Sequence, residues 1–214
     1  LGPAGRSPGA GGRLLVRDRG GHVHPLPGAA GFFDVSDPAV SWDASSILFA
    51  ATPAPAARWR IWVVNADGSG LRCVTCGASP AARDDHDDVD PCWLPDGRLV
   101  FASTRWPQRA QYGAKAVTNL FVTSKDGTAP QRITSERNGA EEPSIDPHTG
   151  RVVYARWWLN RFLPSDGEPQ GITLDPARAV PQDSINLWTA GSVAPDGEGL
   201  RLAGGDARTH PTLM

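Results

Sequence analysis

The chain has 214 residues, room for one or two domains and a sizeable core. Hydrophobic residues make up 40% and charged residues 21%, which excludes a disordered chain and a coiled coil. A net charge of −2 gives no electrostatic footprint for nucleic acid or an anionic membrane, and 24 Gly with 20 Pro argue against an all-helical fold.

In chain order, residues 1–11 read as a disordered, low-complexity stretch. Residues 12–27 hold two short runs, around Leu14-Leu15-Val16 and His22-Val23-His24, expected to pair as the outer hairpin of a preceding blade. His22 and His24 would share one strand face, where a wet outer strand outweighs a two-His metal site. Three similar units follow, expected over residues 35–77, 88–135 and 140–205. Each opens on an acidic residue and Pro, at Asp37-Pro38, Asp90-Pro91 and Glu142-Pro143. A turn and an apolar strand come next, ending in an aromatic and Ala: Phe49-Ala50, Phe101-Ala102 and Tyr154-Ala155. Then come a third strand, an Asp-Gly turn (Asp67-Gly68, Asp126-Gly127, Asp196-Gly197) and a fourth. Asp-Gly between two β-rich runs is a strong hairpin signal, because Gly supplies the positive φ of a tight turn.

Self-similarity at a period near 50 residues, with four strands per unit, is the pattern of a β-propeller blade. Such a sheet buries its faces only by stacking between neighbours. Residues 209–214, with His210-Pro211, resemble the opening of another first strand. The expectation is therefore an all-β, partial propeller of about three and a half blades, a fragment of a ring of about six to eight blades.

The run Asp90-Pro91-Cys92-Trp93-Leu94-Pro95-Asp96-Gly97-Arg98 continues through Ser103-Thr104-Arg105 and Asp126-Gly127 to Arg132-Ile133-Thr134. It resembles the TolB-like propeller repeat. The first repeat departs, with Asp43-Ala44-Ser45 where the pattern has Pro-Asp-Gly, and the third has Asp146-Pro147-His148-Thr149-Gly150 there. Asp87 to Gly97 and Gly150 to Trp157 also look like the TolB-like middle domain of hydrazine synthase alpha subunits. That resemblance implies a propeller flanked by haem-carrying parts in a periplasmic or otherwise extracytoplasmic enzyme. No CxxCH is present, so no c-type haem can attach to this chain.

Candidate sites are few. Asp84, Asp85, His86, Asp87, Asp88 and Asp90 crowd one inter-blade loop. Dense oxygen ligands can hold Ca²⁺, but neither the Gly nor the Glu of an EF-hand loop is in place. The bland alternative is a solvated loop; the loop is also the first choice for a partner or ligand surface. Trp157 and Trp158 open an insertion of about Trp157 to Ser184, rich in Pro and expected to be irregular. They stand as a rim contact for a partner or as strand-end packing. Cys73, Cys76 and Cys92 are too few for a four-ligand zinc site and leave one local disulfide open, its pairing undetermined. No Gly-x-Ser-x-Gly elbow, His-Glu-x-x-His or Gly-rich phosphate loop occurs. The expected role is a non-catalytic binding or scaffolding module, with no catalytic residues and no cofactor beyond Ca²⁺. Its partners would be a protein or the remaining blades and flanking domains. A substrate-gating propeller of a prolyl oligopeptidase-type peptidase, or part of a haem-dependent oxidoreductase, are the alternatives.

Overall fold

A computed structural model describes residues 11–77, 85–110, 116–160 and 185–203. Among the described residues every regular element is a strand. A hairpin of β1 (Leu15–Arg17) and β2 (Val23–Pro25) comes first. Sheet 1 follows, with β3 (Asp34–Val40), β4 (Ser46–Thr52), β5 (Arg60–Asn65) and β6 (Arg72–Cys73). Sheet 2 has β7 (Asp88–Trp93), β8 (Leu99–Ser103), β9 (Asn119–Thr123) and β10 (Gln131–Arg132). Sheet 3 has β11 (Ala140–Ile145), β12 (Val152–Asn160), β13 (Ile185–Val193) and β14 (Arg201–Leu202). Each is a separate four-stranded antiparallel meander, its strands adjacent in chain order. The strand expected at residues 209–214, and residues 1–10 of the N-terminal stretch, lie outside the described residues.

The acid–Pro signature makes a β-bulge in every sheet. Asp37-Pro38 together oppose Phe49, Asp90-Pro91 oppose Phe101, and Glu142-Pro143 oppose Tyr154. Two residues against one kinks the strand and sharpens its twist. The acid sits in the left-handed region each time, with φ of 55°, 51° and 53° at Asp37, Asp90 and Glu142. A non-glycine residue there costs on the order of 1–3 kcal/mol, so surrounding contacts must hold it. The opposed aromatic supplies one of them: Phe49 and Phe101 are fully buried and Tyr154 nearly so.

The fourth strands are only two residues long, and after β6 and β10 a side chain finishes the ladder. Val74 N–H bonds Ile61 O, and Thr75 Oγ1 then accepts Ile61 N–H at 3.0 Å. Ile133 and Thr134 do the same to Leu120, at 2.8 Å for the hydroxyl. Thr75 and Thr134, each closing its fourth strand, thus satisfy an amide that a longer strand would have paired.

Stacking buries both faces of the middle sheet. Leu48, Ala50, Ile61 and Val63 of sheet 1 share one core with Val89, Trp93, Leu99 and Phe101 of sheet 2, and that core runs on to Ala140, Val152 and Tyr154 of sheet 3. The other face of sheet 1 (Phe49, Ala51, Val64) packs on Leu14 and Leu26 beside the N-terminal hairpin. Trp42 and Trp93 cross-link sheets 1 and 2: Trp42 Nε1 donates to Trp93 O at 3.1 Å, and Trp93 Nε1 to Ala39 O at 3.2 Å.

The turn between β9 and β10 packs against the backbone of sheet 1. A Cβ on Gly127 (φ +77°) would lie 1.8 Å from Val74 O of sheet 1. Gly97 has a similar φ of +83° but open space around it. Gly97→Ala should therefore cost about 1–2 kcal/mol from the left-handed backbone alone. Gly127→Ala should cost more, because backbone must also move. Paired urea melts of the two variants measure the difference; equal losses would mean the turn does not press on sheet 1.

One expectation is corrected. The insertion was expected to begin at Trp157, yet β12 runs on to Asn160, with Trp157 opposite Trp188 and Asn160 opposite Ile185. The ladder continues through Trp158 opposite Leu187 and Leu159 opposite Asn186, and the sequence there is rich in the β-branched and aromatic residues that strands favour. Residues 161–184 lie outside the described residues.

Candidate binding surface

The acidic loop is positioned by β7, whose first residues pair with the end of β8. Its carboxylates diverge. Asp84 lies outside the described residues. Asp85 is exposed and pairs with Arg58. Asp87 accepts Trp59 N–H at 3.0 Å and faces Arg58 at 3.5 Å, while its own N–H donates to Thr104 Oγ1. Asp90 reaches the other way, to the next sheet, where its Oδ2 accepts Glu142 N–H at 3.2 Å. Among the described residues no three His, Cys, Asp or Glu side chains are grouped to hold a metal ion.

Asp88 is the centre of the loop's buried part. It is fully buried, and its Oδ1 accepts Ser103 Oγ–H at 2.6 Å and Arg105 Nη2–H at 2.9 Å. Arg105 Nε also donates to Ser103 Oγ, and its guanidinium lies 4.9 Å over Phe101 and 5.1 Å over Phe121. His86, buried as well, brings Nε2 to 3.5 Å from Asp88 Oδ2. Burial pushes the Asp88 carboxyl up, but His86, Arg105 and Ser103 together outweigh it and hold it below the usual carboxylate range. Ser, His and Asp are thus neighbours without forming a nucleophilic triad. The carboxylate stands where a triad has its imidazole, and Ser103 is fully buried with its hydroxyl given to Asp88.

Trp157 is largely buried, its ring centroid 6.4 Å from that of Trp188, with Ala110 and Val117 beside them. This is packing at the end of the strand pair. The Trp158 side chain lies outside the described residues. Cys73 and Cys76 form a disulfide, and Cys92 is free. Burial pushes the Cys92 thiol up, which suits an inert packing role. His22 is exposed beside Asp18 at 3.3 Å.

No family model matches the chain, and no curated protein matches it. Solved structures do match. A structure of Kuenenia stuttgartiensis hydrazine synthase is similar, with a TM-score of 0.66 and 15% identity over 92% of this chain and 28% of that one. TolB from Acinetobacter baumannii gives 0.54 and 12% over 89% of this chain and 37% of its own. A TolB of Agrobacterium tumefaciens, described as putative in its own name, gives 0.54 and 16%, covering 89% of this chain and 59% of that one. The fold is that of a TolB-like propeller. At these identities the likeness is one of fold, and the chain spans about a quarter to three fifths of the structures it matches.

As blades, the sheets show what the sequence reading missed. Glu136, in the link from blade 2 to blade 3, is buried and ties the two together. Its Oε1 accepts Tyr154 O–H at 2.8 Å and its Oε2 accepts Arg156 Nε–H at 2.5 Å. Asn119 Oδ1 of blade 2 holds Glu136 N–H at 2.7 Å. Burial and then the Glu136 charge push the Tyr154 phenol up, so it stays a donor. The only sequence signal was the pair of charged residues, Glu136 and Arg156, at the blade boundary. On the rim, Arg132 lies 4.2 Å over the half-exposed Trp106 ring.

Proposed function

We propose that the chain is a non-catalytic binding or scaffolding module of a larger extracytoplasmic protein. One observation carries the reading. The acidic and aromatic side chains that could have formed a site are spent on joining strands and blades: Asp87 on Trp59, Asp88 on Arg105, Asp90 on Glu142, Trp157 on Trp188. The Cys73–Cys76 disulfide supports an oxidising compartment. Among the described residues no helix is long and apolar enough to cross a membrane. The likeness to hydrazine synthase makes a redox assembly the first place to look for partners, namely further blades and flanking domains.

The purified chain should turn over no peptide, ester or hydrazine substrate, and millimolar Ca²⁺ should leave its Tm unchanged, since a ligand that binds the folded state raises it. Turnover abolished by a single substitution among the described residues would end the module reading. A rise in Tm with Ca²⁺ would restore the acidic loop as a metal site. A second reading rests on the puromycin hydrolase structure, similar at a TM-score of 0.50 and 16% identity, of which this chain covers 24%. There the propeller would gate a hydrolase. A Gly-x-Ser-x-Gly motif in the same polypeptide decides for that reading, and CxxCH motifs decide for a haem protein.

A further inference from the structure

The corner that closes blade 1 carries the disulfide of the described residues, Cys73–Cys76, with a sequence separation of 3. Cys73 ends β6 and is half-buried, and Cys76 is exposed just beyond it. Val74 and Thr75, between them, are buried and hold the loop to β5 through both backbone groups of Ile61. Val74 N–H donates to Ile61 O at 2.8 Å, and Thr75 Oγ1 accepts Ile61 N–H at 3.0 Å. The turn of blade 2 rests on Val74 O through Gly127.

Blade 2 builds the same corner without sulfur. Arg132 and Ser135 stand where blade 1 has its cysteines, with Arg132 opposite Phe121 as Cys73 is opposite Trp62. Ile133 and Thr134 are buried and bond Leu120 as Val74 and Thr75 bond Ile61, and Gly197 of blade 3 lies over Ile133. The corner therefore forms from backbone and threonine contacts alone. A loop this short is also where a cross-link removes least entropy from the unfolded chain. Neither the local structure nor the loop length explains the pair as a staple.

We propose that Cys73–Cys76 is a thiol–disulfide exchange site for a dithiol reductant, with Cys76 the sulfur attacked. An incoming thiolate reaches the exposed Cys76 Sγ, forms a mixed disulfide there and expels Cys73 as a thiolate. Cys76 N–H, 3.0 Å from Cys73 Sγ, donates to the sulfur on which that charge develops and favours it. The donor's second thiolate then attacks its own sulfur in the mixed disulfide and releases Cys76. The donor leaves as a disulfide, two electrons pass to the protein, and both cysteine thiolates take a proton from water. Val74 and Thr75 stay anchored to Ile61, so the two thiols remain neighbours and the reverse reaction restores the bond. The inference goes beyond the module reading, because the exchange is stoichiometric and holds whatever the module binds.

The test uses the full chain with dithiothreitol and oxidised glutathione as probes, read by alkylation and mass spectrometry. Millimolar dithiothreitol should open Cys73–Cys76 in the folded protein, at a rate unchanged by urea below the unfolding transition. The reduced protein should keep a cooperative melt, with Tm lower by about 4–8 °C, the shift for opening so short a loop in a protein this size. Oxidised glutathione should label Cys76 in Cys73→Ser roughly tenfold faster than Cys73 in Cys76→Ser, since access governs the reaction. A reduction rate that climbs steeply with urea, a melt lost on reduction, or equal or reversed labelling would overturn the inference. The first two readouts use the parent chain and stand even where a variant fails to fold. None of these outcomes bears on turnover of peptide, ester or hydrazine substrates or on Ca²⁺, so failure here leaves the module reading standing.

Discussion

Asp88→Ala will destabilise the protein by about 3–5 kcal/mol, the range for removing one partner of a buried ion pair. Arg105 would keep its charge in a largely buried place, with Ser103 Oγ and the faces of Phe101 and Phe121 as its remaining neighbours. Ser103 would lose its acceptor in a fully buried position. Urea unfolding measures the loss, and a drop under about 1 kcal/mol would show that water reaches the site. The variant also carries a pH signature. The folded carboxyl of Asp88 is held below its ordinary 3.8, so its stabilisation is present above that value. It is lost as pH falls through the lower folded value. The gap between parent and Asp88→Ala should be widest near neutrality and close in acid. A gap that widened in acid would mean that the carboxylate is not the favoured form.

Phe101→Ala should cost about 3–5 kcal/mol as well, by a different route. Phe101 is fully buried, its ring centroid 6.1 Å from that of Phe121, and it stands opposite the Asp90-Pro91 bulge. Truncation opens a cavity beneath a residue held at positive φ, removes half of the stack under Arg105, and leaves the bulge without its counterpart. Phe101→Leu should recover most of the loss, because volume rather than aromaticity supports the bulge. Both variants can be ranked by Tm. A Phe101→Leu as damaging as Phe101→Ala would instead assign the stability to the cation–π contact.

The blades were legible because their causes are local. Asp-Gly turns, an apolar second strand and a period near 50 residues each follow from adjacent residues, and Leu99 to Ala102 reads as a buried strand without help. The partners of the acidic loop were not legible for the opposite reason. Five titratable residues in a row, with Asp90 just beyond, look like ligands only while their partners are unknown, and those partners lie far along the chain. Arg58 is 27 residues from Asp85, Trp59 is 28 from Asp87, and Arg105 is 17 from Asp88. The acid–Pro repeat was seen, but spacing alone does not say that its carboxylate reaches forward to a backbone amide. That required the positive φ, which turns the N–H out of its own ladder. The extra length of β12 was hidden by the Pro-rich sequence after it, which drew the boundary back to Trp157.

The brevity of β6, β10 and β14 has a consequence for the molecule's life at high concentration. An outermost strand is a template on which another chain can add itself, and long flat ones seed fibres. Among the described residues each outermost strand of the three sheets is two residues long, and a threonine hydroxyl ends the ladder after β6 and β10. A stranger's backbone finds too few consecutive donors and acceptors to grip. Repeat proteins expose many perimeters at once, and the three four-stranded sheets here keep their outermost strands short.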